Sequence, residues 1–177
     1  MIKLFLSFVG VILGSLCAYA QGNIPLLDKV EGHRVHFHYT YSLSRGGAEF
    51  APVTDGEVCV EGNAYRMEGL GLQVISDGTT RWSLDPSAGE LVIEKVEKED
   101  LFTNPALFIA SYKKYRDSIH VNSSGADFLD VTLTLDETTK ARFHLKDIVY
   151  EEPQGKSDFS LDGKSLSEDV IITDLRQ

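Results

Sequence analysis

The chain has 177 residues, with 27 acidic and 17 basic side chains and a net charge of −10 at pH 7. This length suits one domain that can bury a substantial hydrophobic core. The negative charge repels phosphate groups, so we do not expect the protein to bind nucleic acid.

The N-terminus has the three parts of a secretory signal peptide. Lys3 supplies a positive start, an apolar run extends from residue 4 to residue 16, and Ala18-Tyr19-Ala20 is a cleavage site of small residues. The apolar run is shorter than the ~20 residues that a membrane-spanning helix needs. We therefore predict cleavage after Ala20, which leaves residues 21–177 as a single exported domain.

The cysteines indicate a fold without disulfides. Cys17 lies in the signal peptide, and Leu16 stands where a lipidated cysteine needs a small residue before it. Cys59 would then be the only cysteine of the exported chain, so no internal disulfide can form. The hydrophobic core must hold the fold, although exported proteins often use disulfides.

Two short helices are predicted. The first has Asn23 as its N-cap, Pro25 in its first turn and Gly32 at its end. The second begins at Asn104-Pro105 and runs for about three turns. Its apolar side chains are Leu107, Phe108, Ile109 and Tyr112.

The rest of the chain is predicted to be β-strands joined by short turns, which makes neighbouring strands antiparallel. Apolar and polar residues alternate in residues 34–44, where Val35, Phe37, Tyr39, Tyr41 and Leu43 share one face. The other predicted strands are residues 56–61, 64–68, 70–76, 81–84, 90–96, 118–122, 127–136, 139–150, 158–161 and 170–175. The predicted fold class is mainly β (α+β), with about ten or eleven strands.

A long antiparallel sheet with one apolar face is expected to curl into an incomplete barrel. Two short helices cannot cover the concave face of such a sheet completely. The inward apolar side chains could line a ligand cavity, or they could form a fully packed core. The alternation of residues is the same in both cases.

The sequence shows no catalytic motif, because G-x-S-x-G, H-E-x-x-H, C-x-x-C and a glycine-rich phosphate loop are all missing. His36 and His38 share a strand face at a spacing that can hold a metal. No second cluster of ligands supports a metal, and a solvent-facing polar strand surface is the preferred interpretation of the pair. We predict a binding protein without catalytic residues, cofactor or metal. Its natural ligand would be an acyl chain, which gains about 0.8 kcal/mol per buried CH₂ group.

Several motifs occur in an order and spacing that suggest a known family. Tyr65-Arg66-Met67 forms a trio within a strand, Asp77-Gly78 forms a turn, and Trp82 is followed by Asp85 in the next strand. A helix with an Asn-Pro start follows, and the chain ends in aliphatic residues that lead to Asp-Leu-Arg. Across residues 24–176 this pattern resembles LolA, the periplasmic carrier of outer-membrane lipoproteins, and is most similar to the divergent branch found in Bacteroidetes.

The resemblance implies an incomplete barrel with a helical lid, located in the periplasm and monomeric. Such a carrier takes acylated lipoproteins from an inner-membrane ABC transporter complex and releases them to an outer-membrane acceptor. Arg66 is the nearest match to the arginine that holds the lid closed in the family, and a solvent-facing position is the alternative for it. The family's Arg-Pro pair before the trio is missing here, where Gly62-Asn63-Ala64 stands in its place.

Within this hypothesis the ligand surface follows from inward alternation in the strands and from the apolar helix face. Its residues are Phe37, Tyr39, Tyr41, Met67, Leu72, Val74, Trp82, Leu107 and Phe108. Ordinary core packing is an equal alternative at each position. Two other functions stay open: a periplasmic lipid-sensing or scaffold protein of related fold, and a general binder of hydrophobic ligands.

Overall fold

Among the residues that the structure describes, ten strands form one open sheet. A computed structural model describes residues 24–96, 106, 108–109, 112–114, 118–162, 166 and 169–176. The strands are β1 Arg34–Arg45, β2 Ala51–Glu61, β3 Ala64–Gly69, β4 Leu72–Ser76, β5 Thr80–Asp85, β6 Glu90–Lys95, β7 Ile119–Ser124, β8 Leu129–Thr134, β9 Thr139–Glu151 and β10 Ile171–Asp174. Their spatial order is β10-β6-β5-β4-β3-β2-β1-β9-β8-β7. The predicted fold class, a mainly β chain in an incomplete barrel, is confirmed.

The first six strands form a meander because tight turns join them. Each strand from β1 to β6 pairs in antiparallel fashion with the next one. Gly62 in the β2–β3 turn has φ of 61°, a backbone conformation that glycine adopts at little cost. The other edge of β1 pairs with β9, and β8 and β7 continue the sheet from there.

The last strand departs from the predicted antiparallel arrangement. β10 pairs with β6 in parallel, from Ile171 opposite Glu90 to Asp174 opposite Ile93. A parallel neighbour needs a crossover connection rather than a hairpin. The described residues between β9 and β10 belong to this crossover, and Phe159, Leu161 and Leu166 among them pack on one face of the sheet.

The predicted strand at residues 158–161 is part of this crossover and is not a strand. The structure has a short 3₁₀ turn at Lys156–Asp158, followed by irregular backbone. Phe159 is completely buried there, because its ring packs on the sheet. Position 159 is apolar because its side chain is buried on the sheet, and not because it belongs to a strand.

The sheet has two faces, which we name after residues of β1. The inner face carries Phe37, and the outer face carries His36, because successive strand residues point to opposite sides. The inner face holds the main hydrophobic core. Its strand residues are Val35, Phe37, Tyr39, Tyr41, Val58, Val60, Tyr65, Val74, Leu129, Val131, Leu133, Ala141, Phe143, Leu145 and Ile148.

A second, smaller core lies on the outer face, over strands β3 to β6. Its buried residues are Ala64, Ile75, Trp82, Leu91, Ile93 and Phe159. The crossover chain covers this core, since Leu161, Leu166 and Val170 pack against it. The apolar side of the sheet therefore changes from the inner face at β1 to the outer face at β5 and β6.

Short helical segments cover part of the inner face. Helix α1 spans Pro25–Asp28 and buries Leu26 and Leu27 in the main core. Its N-cap is Ile24, which makes no side-chain cap hydrogen bond, so the prediction of Asn23 as the N-cap is wrong.

Helical residues of the second segment are buried in the same core. They are Ala106, Phe108 and Ile109, followed by a 3₁₀ turn at Tyr112–Lys114. The predicted helix start at Asn104-Pro105 and the predicted signal peptide lie outside the described residues. Within the part of the chain that the structure describes, no helix has the length and apolar character needed to cross a membrane.

Candidate functional site

The inner face brings together seven of the nine residues predicted to contact a ligand. The buried ones are Phe37, Tyr39, Tyr41, Val74 and Phe108, and the half-buried ones are Met67 and Leu72. Leu107 lies outside the described residues, and Trp82 lies elsewhere. Leu72 also lines a cavity of about 300 Å³ at the β3–β4 turn, at the margin of this core.

An aromatic stack joins the sheet to the helical cover. The ring of Phe143 lies 4.9 Å from the ring of Tyr41 and 5.4 Å from the ring of Phe108, measured between centroids. Phe143 and Phe108 are almost parallel, with 8° between their planes. The prediction from sequence included Tyr41 and Phe108 but not Phe143, although its alternation with Ala141 and Leu145 on β9 was a usable signal.

Tyr39 fills a space left by two glycines in neighbouring strands. Gly56 of β2 is paired with Tyr39, and Gly69 of β3 is paired with Gly56. A Cβ atom added at Gly69 would lie 2.2 Å from the Tyr39 hydroxyl oxygen. The phenol ring therefore takes the place of two missing side chains, close to the half-buried Leu72.

Polar side chains connect the helical segments to each other and to the sheet. The Tyr112 hydroxyl donates a hydrogen bond to Asp28 at the end of α1. Lys113 Nζ donates to Glu31 Oε2 at 2.6 Å. The Tyr150 hydroxyl of β9 donates to a backbone carbonyl of α1 at 2.7 Å. A movement of either helical segment would therefore break contacts made by the other.

Trp82 does not join the predicted group, because it lies on the outer face. Trp82 pairs with Ile75 of β4, and Ile75 pairs with Arg66 of β3, so these three side chains share one side of the sheet. Alternation within a strand does not say which of its faces is apolar. Strand β4 buries Val74 on the inner face and Ile75 on the outer face, so both choices were open.

Arg66 is also on the outer face, where its side chain is exposed. Its Nη2 donates a hydrogen bond to the backbone carbonyl of Asp158 at 2.6 Å. The described helical residues pack on the inner face. The structure thus places Arg66 away from the lid that the resemblance would have it hold.

A cleft of about 520 Å³ opens on the outer face beside Arg66. Its floor is a row of paired residues from four adjacent strands: Arg66, Cys59, His36 and Val149. Phe159 of the crossover chain lines the cleft as well. The sequence did not predict this cleft. One of its walls is made by residues 158–159, which are not in a strand and so show no alternation of apolar and polar residues.

Arg34 fixes the wall of the cleft through a buried hydrogen-bond network. Its Nε donates to Glu61 Oε2 at 2.9 Å, and its Nη1 donates to Asp158 Oδ2 at 2.9 Å. Its Nη2 donates to the Gly155 carbonyl at 2.8 Å, and the Gly155 amide donates back to Glu61 Oε1 at 2.9 Å. The guanidinium also lies 5.1 Å from the centre of the Phe159 ring. This network binds the crossover chain to β1 and β2.

The surroundings of the cleft shift three ionisation equilibria. The hydrogen bond from Arg34 to Asp158 raises the pKa of Arg34, against the effect of burial. Burial opposes ionisation of Glu61, but hydrogen bonds from the backbone of residues 154–155 and from Arg34 lower its pKa. Burial raises the pKa of the Cys59 thiol, while the positive charges of Arg34 and Arg66 act against this. The ion pairs are therefore charged and the thiol is protonated at pH 7.

The two predicted candidate metal ligands lie at the cleft without forming a metal site. His36 Nε2 is 3.7 Å from Cys59 Sγ and 3.5 Å from Glu151 Oε2. His38 Nε2 is 2.9 Å from Glu57 Oε1. Across the described ranges, no three His, Cys, Asp or Glu side chains come together as metal ligands.

Comparisons with known proteins show likeness to solved structures only. No protein-family model matches the chain, and no curated protein matches it. Among solved structures, the chain is similar to the crystal structure of a LolA superfamily protein from Nitrosomonas europaea. The TM-score is 0.44 at 10% sequence identity, and the match covers 77% of this chain and 96% of that chain. A match at this level identifies no ligand and no site residue.

Proposed function

We propose that this protein carries an apolar ligand between the inner face of the sheet and the helical segments over it. The observation that carries this proposal is the extent of the apolar surface, which continues over β4, β3, β2, β1, β9 and β8. Helix α1, which covers part of this surface, is four residues long. A surface of this kind suits an acyl chain, which gains about 0.8 kcal/mol for each buried CH₂ group.

The proposed cargo is the acylated end of a lipoprotein, and the proposed place of action is the periplasm. Support comes from the order of motifs that resembles LolA and from the N-terminal signal peptide pattern. In this proposal an inner-membrane ABC transporter complex delivers the lipoprotein, and an outer-membrane acceptor receives it. The carrier makes no covalent bond, so each transfer must run toward the site of higher affinity.

Ligand uptake in this proposal requires a movement of Phe108. Its ring is buried against Phe143, where an acyl chain reaching β9 would have to lie. The polar contacts of Tyr112 and Lys113 with Asp28 and Glu31 would break in the same movement. The binding energy of the acyl chain must exceed the cost of these lost contacts.

Tight packing of the same core favours a second candidate function. Leu129, Val131, Leu133, Ala141, Phe143 and Leu145 have no solvent exposure. A core that stays closed in this way would suit a scaffold or lipid-sensing protein whose sheet never takes up cargo. The two candidates differ in whether the inner face ever admits a ligand.

Binding of an apolar fluorescent dye to the protein, purified without detergent, tests this difference. We expect dye fluorescence to rise on binding and Met67→Glu to weaken binding about tenfold or more, because a carboxylate on the inner face must be desolvated. Gln73→Glu is the matched control, since it adds the same charge on the outer face of the adjacent strand. Equal binding by all three proteins, or no binding by any, would reject the inner face as a ligand site.

Native mass spectrometry then tests the nature of the cargo. Protein isolated from its own periplasm should carry extra mass that matches an acylated protein, and addition of the protein to spheroplasts should release membrane lipoproteins. Extra mass that matches a free lipid would instead support a general hydrophobic-ligand binder. A bare chain that also fails to bind dye would support the scaffold function.

A further inference from the structure

The outer cleft is a second concave site on this protein, separate from the inner face. The sheet itself lies between them, because the floor residues Cys59 and His36 alternate with Val58 and Phe37, which point inward. The cleft volume of about 520 Å³ falls within the range of small-molecule sites, roughly 300–1,000 Å³. It can therefore be tested independently of the proposed carrier function.

Among the described residues around the cleft, the charges leave one cation available for a ligand. Arg34 is neutralised by Glu61 and Asp158, which lie 2.9 Å from its nitrogens. Arg66 donates only to a backbone carbonyl, and within the described ranges no carboxylate lies within ion-pair distance of its guanidinium. An arginine in this position can offer two parallel N–H groups to a planar anion such as a carboxylate.

The remainder of the cleft floor offers apolar contact. Val149, near the end of β9, is 51% exposed, and the Phe159 ring lines the same cleft. The Cys59 thiol between Arg66 and His36 is half-buried and neutral at pH 7. An exposed valine in a cleft is a surface that gains free energy when an apolar group covers it.

The rim of the cleft limits the charge of the ligand. Glu57, Glu68 and Asp147 all line the cleft on the side away from the crossover chain. His38 contacts Glu57 and Asp147, and the Gln73 side chain donates to Glu68. These carboxylates repel negative charge in a ligand, so they oppose a dianion such as a phosphate monoester more strongly than a monoanion.

From these contacts we infer that the outer cleft binds a small amphipathic monocarboxylate. Its carboxylate would pair with Arg66, and its apolar part would lie over Cys59 and Val149 against Phe159. Such a ligand covers the exposed valine and gives the arginine a carboxylate partner. The inference does not depend on the inner face binding anything.

Protection of the Cys59 thiol from alkylation tests the inference directly. The full-length chain is treated with iodoacetamide, a neutral reagent, and the Cys59 peptide is quantified by mass spectrometry. Octanoate is the probe, with octylamine and octanol as ligands of equal length and different head group. We expect octanoate to slow Cys59 alkylation about tenfold at saturation, and the other two compounds to have little effect. Equal protection by octylamine would overturn the assignment of a carboxylate ligand.

Two arginine variants locate the carboxylate. Arg66→Gln should raise the octanoate concentration needed for half-protection about tenfold or more, because a charge-assisted hydrogen bond is lost. Arg45→Gln is the matched control, since Arg45 is exposed at the end of β1 and does not line the cleft. Unchanged protection in Arg66→Gln, with the fold intact by circular dichroism, would overturn the inference.

The inner-face variant Met67→Glu separates this site from the proposed carrier site. We expect octanoate to protect Cys59 in Met67→Glu as well as it does in the unmodified protein. Loss of protection in Met67→Glu, together with its retention in Arg66→Gln, would place octanoate on the inner face and reject the outer site. Failure of dye binding leaves this test available, because Cys59 alkylation is measured without the dye and Cys59 lines the outer cleft.

Discussion

At the scale of single residues, position 69 must be glycine, because the Tyr39 side chain occupies the space that a Cβ atom would need. A Cβ atom there would lie 2.2 Å from the hydroxyl oxygen and 3.3 Å from Cζ of Tyr39. We predict that Gly69→Ala lowers the free energy of unfolding by about 1–3 kcal/mol, the usual cost of overpacking. Urea denaturation followed by circular dichroism measures the change.

A double variant tests the cause of that loss. Tyr39→Phe removes the oxygen atom nearest to the added methyl group, and the hydrogen bond of that hydroxyl to the Glu68 carbonyl is long, at 3.4 Å. Tyr39→Phe should therefore restore much of the stability that Gly69→Ala loses. Additive effects of the two substitutions would show that the ring does not clash with the new methyl group.

Asp130 is a nearly buried carboxylate on the outer side of β8, and it is held by three donors. Arg142 donates to it through Nε at 2.9 Å and Nη2 at 2.6 Å, and Asn122 donates through Nδ2 at 2.6 Å. Burial alone would raise the pKa of Asp130, but these hydrogen bonds outweigh burial and lower it. A lowered pKa in the folded state means that ionised Asp130 stabilises the fold.

The sign of this shift predicts how stability depends on pH. The contribution of Asp130 is present above the pKa of an unfolded aspartate, about 3.9, and is lost as the pH falls through the lower folded value. We predict that Asp130→Asn is about 1–3 kcal/mol less stable than the unmodified protein at pH 7. The difference should shrink in urea titrations at pH 3. A constant difference at both values would contradict the role of the charge.

The inward positions on β1 could be predicted from the sequence. The face of the sheet on which Trp82 lies could not be predicted. Phe37, Tyr39 and Tyr41 alternate with polar residues over a long strand, so one face had to be buried. Trp82 lies in a six-residue strand, and its face depends on pairing with Ile75. Pairing partners are set by long-range contacts that the local pattern does not contain.

At the scale of elements, Arg34 ties residues 154–158, which follow β9, to the sheet. The Arg34 side chain is 5% exposed and donates to Glu61, Asp158 and Gly155. We predict that Arg34→Ala costs about 3–5 kcal/mol, because it leaves the Glu61 charge nearly buried without its partner. It should also increase hydrogen exchange of the amides at residues 154–159.

A second substitution separates the charge from the packing of Arg34. Glu61→Gln in the Arg34→Ala background removes the unpaired carboxylate, so part of the lost stability should return, while exchange at residues 154–159 stays fast. If Arg34→Ala leaves this exchange slow, the network does not hold the crossover chain.

The strands of the meander were predictable because turn residues mark their ends. The hairpin at Gly62-Asn63 lies where the sequence places it, between β2 and β3. The parallel position of β10 and the crossover at residues 158–161 were not predictable. Phe159 is buried and Leu161 partly buried against the outer face, and a local pattern of these two residues is the same in a strand and in a crossover. The residues of β10 are exposed, so they carry no buried face that alternation could reveal.

At the scale of the whole molecule, the open sheet has two unequal edges. β7 is mostly exposed and ends in polar residues, whereas β10 and the residue after it expose Ile171, Ile172 and Leu175. Asp174 on this edge is neutralised by Arg176, so little charge opposes pairing with another strand. An edge of this kind favours association between chains at high protein concentration.

Adding a charge to the β10 edge tests this expectation. We predict that Ile172→Lys raises the concentration at which the protein begins to associate, measured by light scattering, with little change in stability. Ser123→Lys on the β7 edge adds the same charge and should have a smaller effect. An equal effect of both substitutions would point to net charge rather than to the β10 edge.

The pairing of β1 with both β2 and β9 has a consequence for the order of folding. The first six strands are joined by tight turns and can pair as soon as they are made. The second edge of β1 must wait for β9, since Arg34 pairs with Glu151 far along the chain. Until then Phe37, Tyr39 and Tyr41 lack the cover of Phe143 and Leu145. A nascent chain halted before β9 would thus present an aromatic strand with an open edge, and it would be a substrate for chaperones rather than a smaller working protein.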